Sequence, residues 1–404
     1  MKQNFIFLII FTLISNFGSS IFAFIVSFYF LKESNNAIIF SILIATTTLS
    51  NIVFKIIAGY FADLLNKKYL VLVTQFLSVL VLAIFSLNTD SIENYKFVII
   101  LLIILAMSDS FSSIVFNSGM VNIVGEQYLQ KFITVNMVML NIITIFSPII
   151  GGLLFSIFDI KVFIYLIFCT ETISLLILIL IKIPEIRNNM SESKDIISIK
   201  RFFKDYIKTF KYISEFQELL ILLCLSLAMN FFFSISNIGL QTGLVKVFKF
   251  DSLTYSLIVS ALSLGIILIS LVLIGLKDLD IKKNLTLSIS VMSLSYLILS
   301  LNFIYSSVEI SKYTLFFIML VIGVSLGLYN ATSSIFKQTV IQDNLKGKYF
   351  GLETMVAQIA MPLGYILGGI LFEINTYIYP LIFITIVFIL IIVLFILKRN
   401  FKII

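Results

Sequence analysis

Long apolar stretches, broken by short polar intervals, run the whole length of this chain. In the first half they fall at about 5–31, 37–62, 69–87, 97–121, 132–158 and 162–183, each long enough for a helix to cross a hydrocarbon layer. The second half gives about 217–245, 254–276, 284–306, 313–338, 349–373 and 378–397, by the same criteria of length and charged breaks. None of these runs alternates at period two, as the strands of an outer-membrane barrel would. The pattern predicts an all-α polytopic membrane protein with twelve transmembrane helices. The first run is longer than the apolar core of a signal peptide and further spans follow it, which predicts a retained first helix.

The pattern also repeats. The stretch Asn51–Lys68, NIVFKIIAGYFADLLNKK, ends an apolar helix in Gly59, Asp63 and the Lys67–Lys68 pair; a shift of 216 carries Gly59 onto Gly275 and Lys67 onto Lys283. Gly151-Gly152-Leu153-Leu154-Phe155 returns as Gly368-Gly369-Ile370-Leu371-Phe372 after a shift of 217. Two parallel six-helix halves, 1–183 and 217–404, are therefore expected, joined by a polar connector over 184–216. In the connector Ile196, Ile199, Phe203, Tyr206, Ile207, Phe210 and Ile213 recur at helical spacing among Lys200, Arg201, Lys204, Lys208 and Lys211. That suits an amphipathic helix on an anionic membrane face, serving either as a passive tie or as a docking site.

Composition sharpens this picture. Hydrophobic residues make up 60% of the 404 and charged residues 12%, about half the charge of an ordinary soluble domain. Of the 28 basic residues, 21 fall on one side of the expected spans and 6 on the other, with Lys55 inside a span. By the positive-inside rule both termini and the connector are cytoplasmic. The excess of Lys over Arg, with abundant Ile and Asn, fits an AT-rich bacterial coding bias and so a bacterial inner membrane. The net charge of +7 is explained by the same loops, and no basic soluble domain offers a nucleic-acid footprint.

The chain has no histidine, which removes His-ligated metal centres and His-based catalytic triads together. Cys169 and Cys224 lie in separate apolar spans, the expected place for inert buried thiols and not for a disulfide. Gly323-Val324-Ser325-Leu326-Gly327 fits the G-x-S-x-G of serine hydrolases, yet it lies inside an apolar span with no base available; it reads as a small-residue packing face. No phosphate-binding loop occurs. No enzyme activity, cofactor or metal is expected.

The segment Gly59-Tyr60-Phe61-Ala62-Asp63-Leu64-Leu65-Asn66-Lys67-Lys68 resembles the first-loop signature of the major facilitator superfamily, with Leu64 where that family usually carries Arg. Gly59 would permit close helix packing, Asp63 would sit against the positive end of a neighbouring helix, and Lys67 and Lys68 would pair across the loop. Ser147-Pro148-Ile149-Ile150-Gly151-Gly152 resembles the antiporter signature G-P-x-x-G-G, and span eleven echoes it at Pro362, Gly364, Gly368 and Gly369. A proline kink followed by glycines lets a helix bend and approach a partner. The pattern is most similar to the macrolide-efflux-like drug exporters of that superfamily. The resemblance implies the major facilitator fold, with spans one, four, seven and ten around a central cavity.

Ionisable residues within the spans are Lys55, Asp109, Glu171 and Glu353, each costly at membrane depth and so a functional candidate. Asp109 is mid-span with Ser112, Ser113 and Asn117 at near-helical spacing, a polar face suited to proton or cation binding. Glu171 lies mid-span in helix six, peripheral by the resemblance: either a second protonation site or a neutral, hydrogen-bonded acid. Lys55 and Glu353 lie toward the same ends of spans two and eleven, where they either form an ion pair or leave Lys55 to snorkel alone. Asn16, Asn230, Asn237, Gln241 and Asn330 complete the candidate substrate cavity, against the alternative that they only join helices.

These residues lead to an expected secondary transporter, a monomer in the bilayer that takes a small-molecule substrate. It would export lipophilic or amphipathic compounds, macrolide-like by the resemblance, in exchange for protons. An importer of a small metabolite on the same fold is the alternative; a membrane enzyme or a non-transporting sensor fits the residues less well.

Overall fold

A computed structural model describes residues 2–183, 217–274, 280–305, 307–341, 343–374 and 378–400. The connector read at 184–216 lies outside the described residues. Twelve α-helices follow in order: α1 (Lys2–Ser34), α2 (Ala37–Leu64), α3 (Lys67–Leu87), α4 (Tyr95–Val124), α5 (Glu126–Ile157), α6 (Ile160–Leu180), α7 (Gln217–Lys246), α8 (Ser252–Ile274), α9 (Ile281–Tyr305), α10 (Val308–Val340), α11 (Asp343–Ile374) and α12 (Ile378–Asn400). A short 3-10 helix, Thr89–Glu93, precedes α4. Among the described residues eleven helices are long and apolar enough to cross a bilayer.

Several helices run past their apolar runs, because capping rather than hydrophobicity sets where they begin. The Asn36 side chain accepts from the amides of Ile38 and Ile39 at 2.8 and 3.1 Å, Asn66 from Lys68 and Tyr69 at 3.0 and 3.2 Å, and Asp159 from Lys161 at 3.0 Å. Each satisfies amides that the first helical turn leaves without partners. α5 starts at Glu126, about six residues before its apolar run, because Gly125 turns the chain at φ 85°, a left-handed angle that costs glycine little.

The helices gather into two compact units. The first contains α1 to α6 together with Leu244–Ser260; the second contains the remaining described parts of the second half. In the first unit α1 packs on α5 and α6, α2 on α4, and α3 on both α4 and α6. Its apolar side chains form two clusters, not one. Ile21, Phe22, Ile25, Leu82, Leu101, Leu105, Phe163 and Ile167 belong to the first. Leu8, Phe11, Ala58, Val71, Phe111, Val115, Phe132 and Leu178 belong to the second. The stretches between them, 12–20 in α1, 72–80 in α3, 106–110 in α4 and 168–176 in α6, hold the buried polar residues Ser15, Thr74, Gln75, Ser78, Ser108, Ser110, Glu171 and Ser174. A polar layer thus crosses the bundle at mid-height.

In lipid there is no hydrophobic drive to bring apolar helices together, so close packing at small residues does that work. A side chain at Gly18 would meet Thr170 Oγ1 at 2.4 Å, and one at Gly151 would meet Phe24 at 2.7 Å. Gly152 faces Ser252 and Ser256, whose nearest atoms lie 2.5–2.6 Å from an added Cβ; Ser252 also donates to the Gly152 carbonyl at 2.9 Å. In the second unit Gly364 faces the Phe231 carbonyl and Gly368 faces Ile235 and Ile238. Gly151 on α1 and Gly368 on α7 therefore seat corresponding helix pairs in the two repeats, against residues that do not correspond one to one. Gly323 lies against the Leu262 carbonyl, 2.1 Å from an added Cβ, and Gly327 against Ile266 and Ile269, so the G-x-S-x-G stretch is a packing face.

Two sequence expectations are corrected here. Gly59 has nothing within 4 Å of an added Cβ, so it mediates no close packing; only the shape of the motif suggested that it would. Cys169 and Cys224 are free thiols with exposed side chains, because these helix faces lie on the outer surface of the bundle, as many exposed leucines and isoleucines do.

Replacing Gly323 by Ala should lower stability by about 1–3 kcal/mol, since the atom it strikes is backbone and the helices must separate. Gly59→Ala should leave stability unchanged or raise it by up to ~1 kcal/mol through helix propensity. Thermal unfolding of both variants in detergent is the check; equal losses at the two positions would show that glycine contacts do not govern packing.

Candidate functional site

The polar layer of the first unit is a connected network. Glu171, 1% exposed, accepts from Gln75 Nε2 at 2.5 Å on Oε2 and from Ser19 Oγ at 3.3 Å on Oε1. Gln75 Nε2 also reaches the Glu171 carbonyl at 3.3 Å, and Ser108 donates to Gln75 Oε1 at 3.1 Å. One carboxyl group thus joins α1, α3, α4 and α6. Gly18 makes the α1 arm possible, because the close approach to Thr170 brings the next residue, Ser19, to Glu171. Glu171 is buried within the first unit, against α1 and α3.

Asp109 follows Ser108 on α4 and is partly buried. Its charge acts on Glu171, and the cation that acts on Asp109 is Lys55 of α2. Next to them Ser110 donates to Asn51 Oδ1 at 3.1 Å, tying α2 to α4. Asp109 is one residue past Ser108 and so stands beside the network that holds Glu171, while Lys55 on α2 is exposed. Ser112, one turn beyond Ser108, is buried and its Oγ has no hydrogen-bond partner in the structure. Ser113 and Asn117 lie on the exposed side of α4 and contact each other at 3.5 Å.

The expected pair between Lys55 and Glu353 is replaced by another. Glu353 Oε1 takes an ion pair with Lys337 of α10 and a 2.6 Å hydrogen bond from Ser226 of α7. Lys337 and Glu353 are 8% and 13% exposed, so the pair is well shielded. The sequence reading treated Lys337 as a topological charge at a helix end, which hid its partner sixteen residues on.

Among the described residues the first-loop lysines bond to backbone carbonyls. Lys68 Nζ donates to the carbonyls of Ile179 and Ile181 at 2.8 and 2.9 Å, and Lys67 Nζ lies 3.5 Å from the Ser118 carbonyl. At the end of α6 Lys68 thus satisfies carbonyls that the last helical turn leaves without intrahelical partners, where a cation also meets the negative end of the helix dipole. The side chain of Asp63 is outside the described residues.

The amide candidates divide. Asn16 donates to the Thr12 carbonyl at 2.8 Å and Asn230 to the Ser226 carbonyl at 2.8 Å, both back onto their own helices. On α7 Gln241 donates to Asn237 at 2.6 Å, an amide pair one turn apart on a partly buried face. Asn330 is exposed. Pro148 and Pro362 lie within α5 and α11, each followed by the glycines that seat the helix on its neighbour. Ser19, Gln75, Ser108, Ser226 and Lys337 were not singled out in the sequence. Gln75 had a readable signal, since it is the sole amide in an otherwise apolar span, flanked by Thr74 and Ser78.

Among the described residues, twelve helices, eleven of which hold a stretch long and apolar enough to cross a bilayer, define a polytopic membrane protein. The sequence model of the Major Facilitator Superfamily matches residues 8–352 and, again, 222–402, and the chain belongs to that family. No curated protein matches it. Among solved structures it is similar to the nucleoside transporter NupG (15% identity, TM-score 0.73, all of both chains covered). It is also similar to a bacterial homologue of the iron transporter ferroportin (15%, TM-score 0.70, 99% of this chain and 100% of that one). A D-xylose-proton symporter resembles it at 11% identity and TM-score 0.67, with 96% of each chain covered. At these identities the likeness is one of fold.

Glu353→Gln and Lys337→Met should each cost about 3–5 kcal/mol, since either leaves the other charge shielded and unpaired. The double variant should lose clearly less than the two single losses combined. A cycle with Lys55→Met in place of Lys337→Met should be additive. Unfolding measurements on both cycles test this; coupling between Glu353 and Lys55 would overturn the assignment.

Proposed function

We propose that this chain is a secondary transporter of the bacterial cell membrane, acting as a monomer with both termini cytoplasmic. It exports lipophilic or amphipathic compounds, macrolide-like in character, in exchange for protons by alternating access. Asp109 and Glu171 are the proton acceptors. The observation that carries this reading is the buried carboxyl of Glu171, held by Gln75 and Ser19 and joined through Gln75 to Ser108, the residue before Asp109 on α4. Two carboxyl groups inside a bundle are costly, and an apolar packing layer would hold the helices together as well.

The chemistry of exchange follows from Asp109. A carboxylate neutralised by a proton has no charge left for a counter-cation, so a proton and a cationic substrate exclude each other there. When Asp109 is ionised, Lys55 is its resident counter-charge, and a cationic substrate must compete with it. A neutral substrate is coupled less directly, through the change in field when Asp109 takes a proton. Ser112, with its unpartnered hydroxyl one turn away, offers such a substrate a hydrogen bond. No Arg lies in a span, which disfavours anionic cargo.

Uptake of a small polar metabolite is the second reading, and the Asn237–Gln241 pair favours it. Paired amides on a transport helix can read the hydrogen-bonding edge of a polar solute, which a greasy drug does not need. Direction of transport in everted vesicles separates the two.

Asp109→Asn keeps size and hydrogen bonding but holds the charge at zero. The variant should fold and still exchange substrate down a gradient, while accumulation driven by a pH gradient falls to background. Proteoliposomes with an imposed pH gradient make the measurement; full active transport by Asp109→Asn would remove this residue from the mechanism. For topology, single cysteines at Lys67 and Lys161, placed after removal of the two exposed native thiols, should behave oppositely toward an impermeant reagent on intact cells. Only the one at Lys161 should react, and labelling at Lys67 would reverse the orientation.

A further inference from the structure

Glu171 has two carboxyl oxygens in different surroundings, and the difference follows from bond directions alone. Gln75 faces three partners: the Glu171 carboxyl oxygen at 2.5 Å, the Glu171 carbonyl at 3.3 Å and the Ser108 hydroxyl at 3.1 Å. The carbonyl can only accept from an amide, and so can the carboxyl oxygen while Glu171 is ionised, so the Nε2 end faces Glu171 and the Oε1 end takes the Ser108 proton. Turning the amide over would set its oxygen against the Glu171 carbonyl in either charge state, and against the carboxylate as well when Glu171 is ionised. Both Nε2 hydrogens are committed to Glu171, and Oε2 receives one of them whatever the carboxyl's charge. A proton on Oε2 would point at an N–H donor.

Oε1 faces a group of a different kind. Its partner is the Ser19 hydroxyl at 3.3 Å, which can donate or accept. With Glu171 ionised, Ser19 donates to Oε1. With Glu171 protonated, Oε1–H donates to Ser19 Oγ, and the Ser19 proton can turn to the carbonyl one helical turn back. The charged groups described on the elements packed against α6 are at their ends: Lys32 and Glu33 on α1, Lys67 and Lys68 on α3, Asp90 and Glu93 on the 3-10 helix. At the level of Glu171 the acting charge is Asp109.

We propose that Gln75 is a positioning residue that confines the Glu171 proton to Oε1, and that Ser19 is the hydroxyl that reports this proton to α1. This rests on the proposed role of Glu171 as a protonation site. Protonation then reverses the sense of the Ser19–Glu171 hydrogen bond between α1 and α6 while the Gln75 clamp on α3 stays fixed. The change is directed at a single neighbouring helix, one residue from Gly18, where a side chain would strike Thr170 of α6.

Infrared difference spectra of the full-length protein in lipid, recorded across a pH step, test this through the C=O stretch of protonated Glu171. That band is identified by its loss in Glu171→Gln and its retention in Asp109→Asn. If Oε2 is the carbonyl oxygen, Gln75→Met removes its donor and should move the band to higher wavenumber. Ser19→Ala removes only the partner of the O–H and should move the band less, with Ser19→Thr restoring its position. A band unmoved by Gln75→Met, or moved more by Ser19→Ala, overturns the proposal. Should Gln75→Met fail to fold, the serine variants decide alone. A Ser19→Ala band at the wavenumber of a carboxylic acid monomer in alkane would place the carbonyl oxygen on the Ser19 side and refute it. Absence of any Glu171 band also refutes it, while the transport role of Asp109 stands or falls separately in the proteoliposome measurement.

Discussion

A buried carboxyl group with no water to turn to must find every partner inside its own bundle, and the first unit is built around meeting that demand at Glu171. Gln75, Ser19 and Ser108 each come from a different helix, so the acid fixes the relative height and rotation of four helices at once. Hydrophobic burial does not distinguish registers in lipid, because one apolar face suits hydrocarbon as well as another. A polar contact does distinguish them: sliding α3 by one residue would turn Gln75 away and leave Glu171 without its donor. The apolar clusters on either side of the layer then pack in the register that the polar layer selects. Individual interhelical hydrogen bonds in membrane proteins are worth only about 0.6 kcal/mol on average. The specificity of the arrangement therefore exceeds its contribution to stability.

The fold was legible in the sequence to a large extent, because twelve apolar runs and a repeat at 216–217 residues are properties of single helices and need no knowledge of neighbours. The set of interior charges was legible for the same reason: Lys55, Asp109, Glu171 and Glu353 stand out against apolar surroundings. Who pairs with whom was not. Lys55 and Glu353 share a depth by the family layout, and depth alone suggested a bond that Lys337 in fact makes. Lys337 sits near the end of α10, where a lysine usually serves topology, and nothing in its neighbours along the chain announces a partner. Gly59 erred in the opposite direction, since a motif promised a contact that the helix face does not make.

The glycines show how far the duplication extends. Gly151 and Gly368, one repeat apart, seat α5 on α1 and α11 on α7, each at its own height along the partner helix. Phe155 and Phe372 close the same segment and each enters an aromatic cluster, with Phe28 and Phe163 in one unit and Tyr379 and Phe383 in the other. Close packing was thus retained in both copies, as expected of contacts where a single added carbon strikes backbone or ring atoms. Such positions tolerate little change whatever the chain transports.

The polar layer departs from this symmetry, and the departure is informative. A shift of 217 carries the partly buried Ser19 onto Ser236, a fully buried serine, whose described partner is the hydroxyl of Tyr296 at 3.0 Å and not a carboxyl group. The same shift carries Lys55, Asp109 and Glu171 onto Val272, Leu326 and Phe388. The second unit therefore keeps the serine and loses every charge of the set. Its own ion pair, Lys337 with Glu353, has its counter-charge built in and is clamped further by Ser226. Asp109 and Glu171, by contrast, have Leu326 and Phe388 at the matching places of the second repeat, so the duplication that preserved the packing glycines did not carry the acids into both copies.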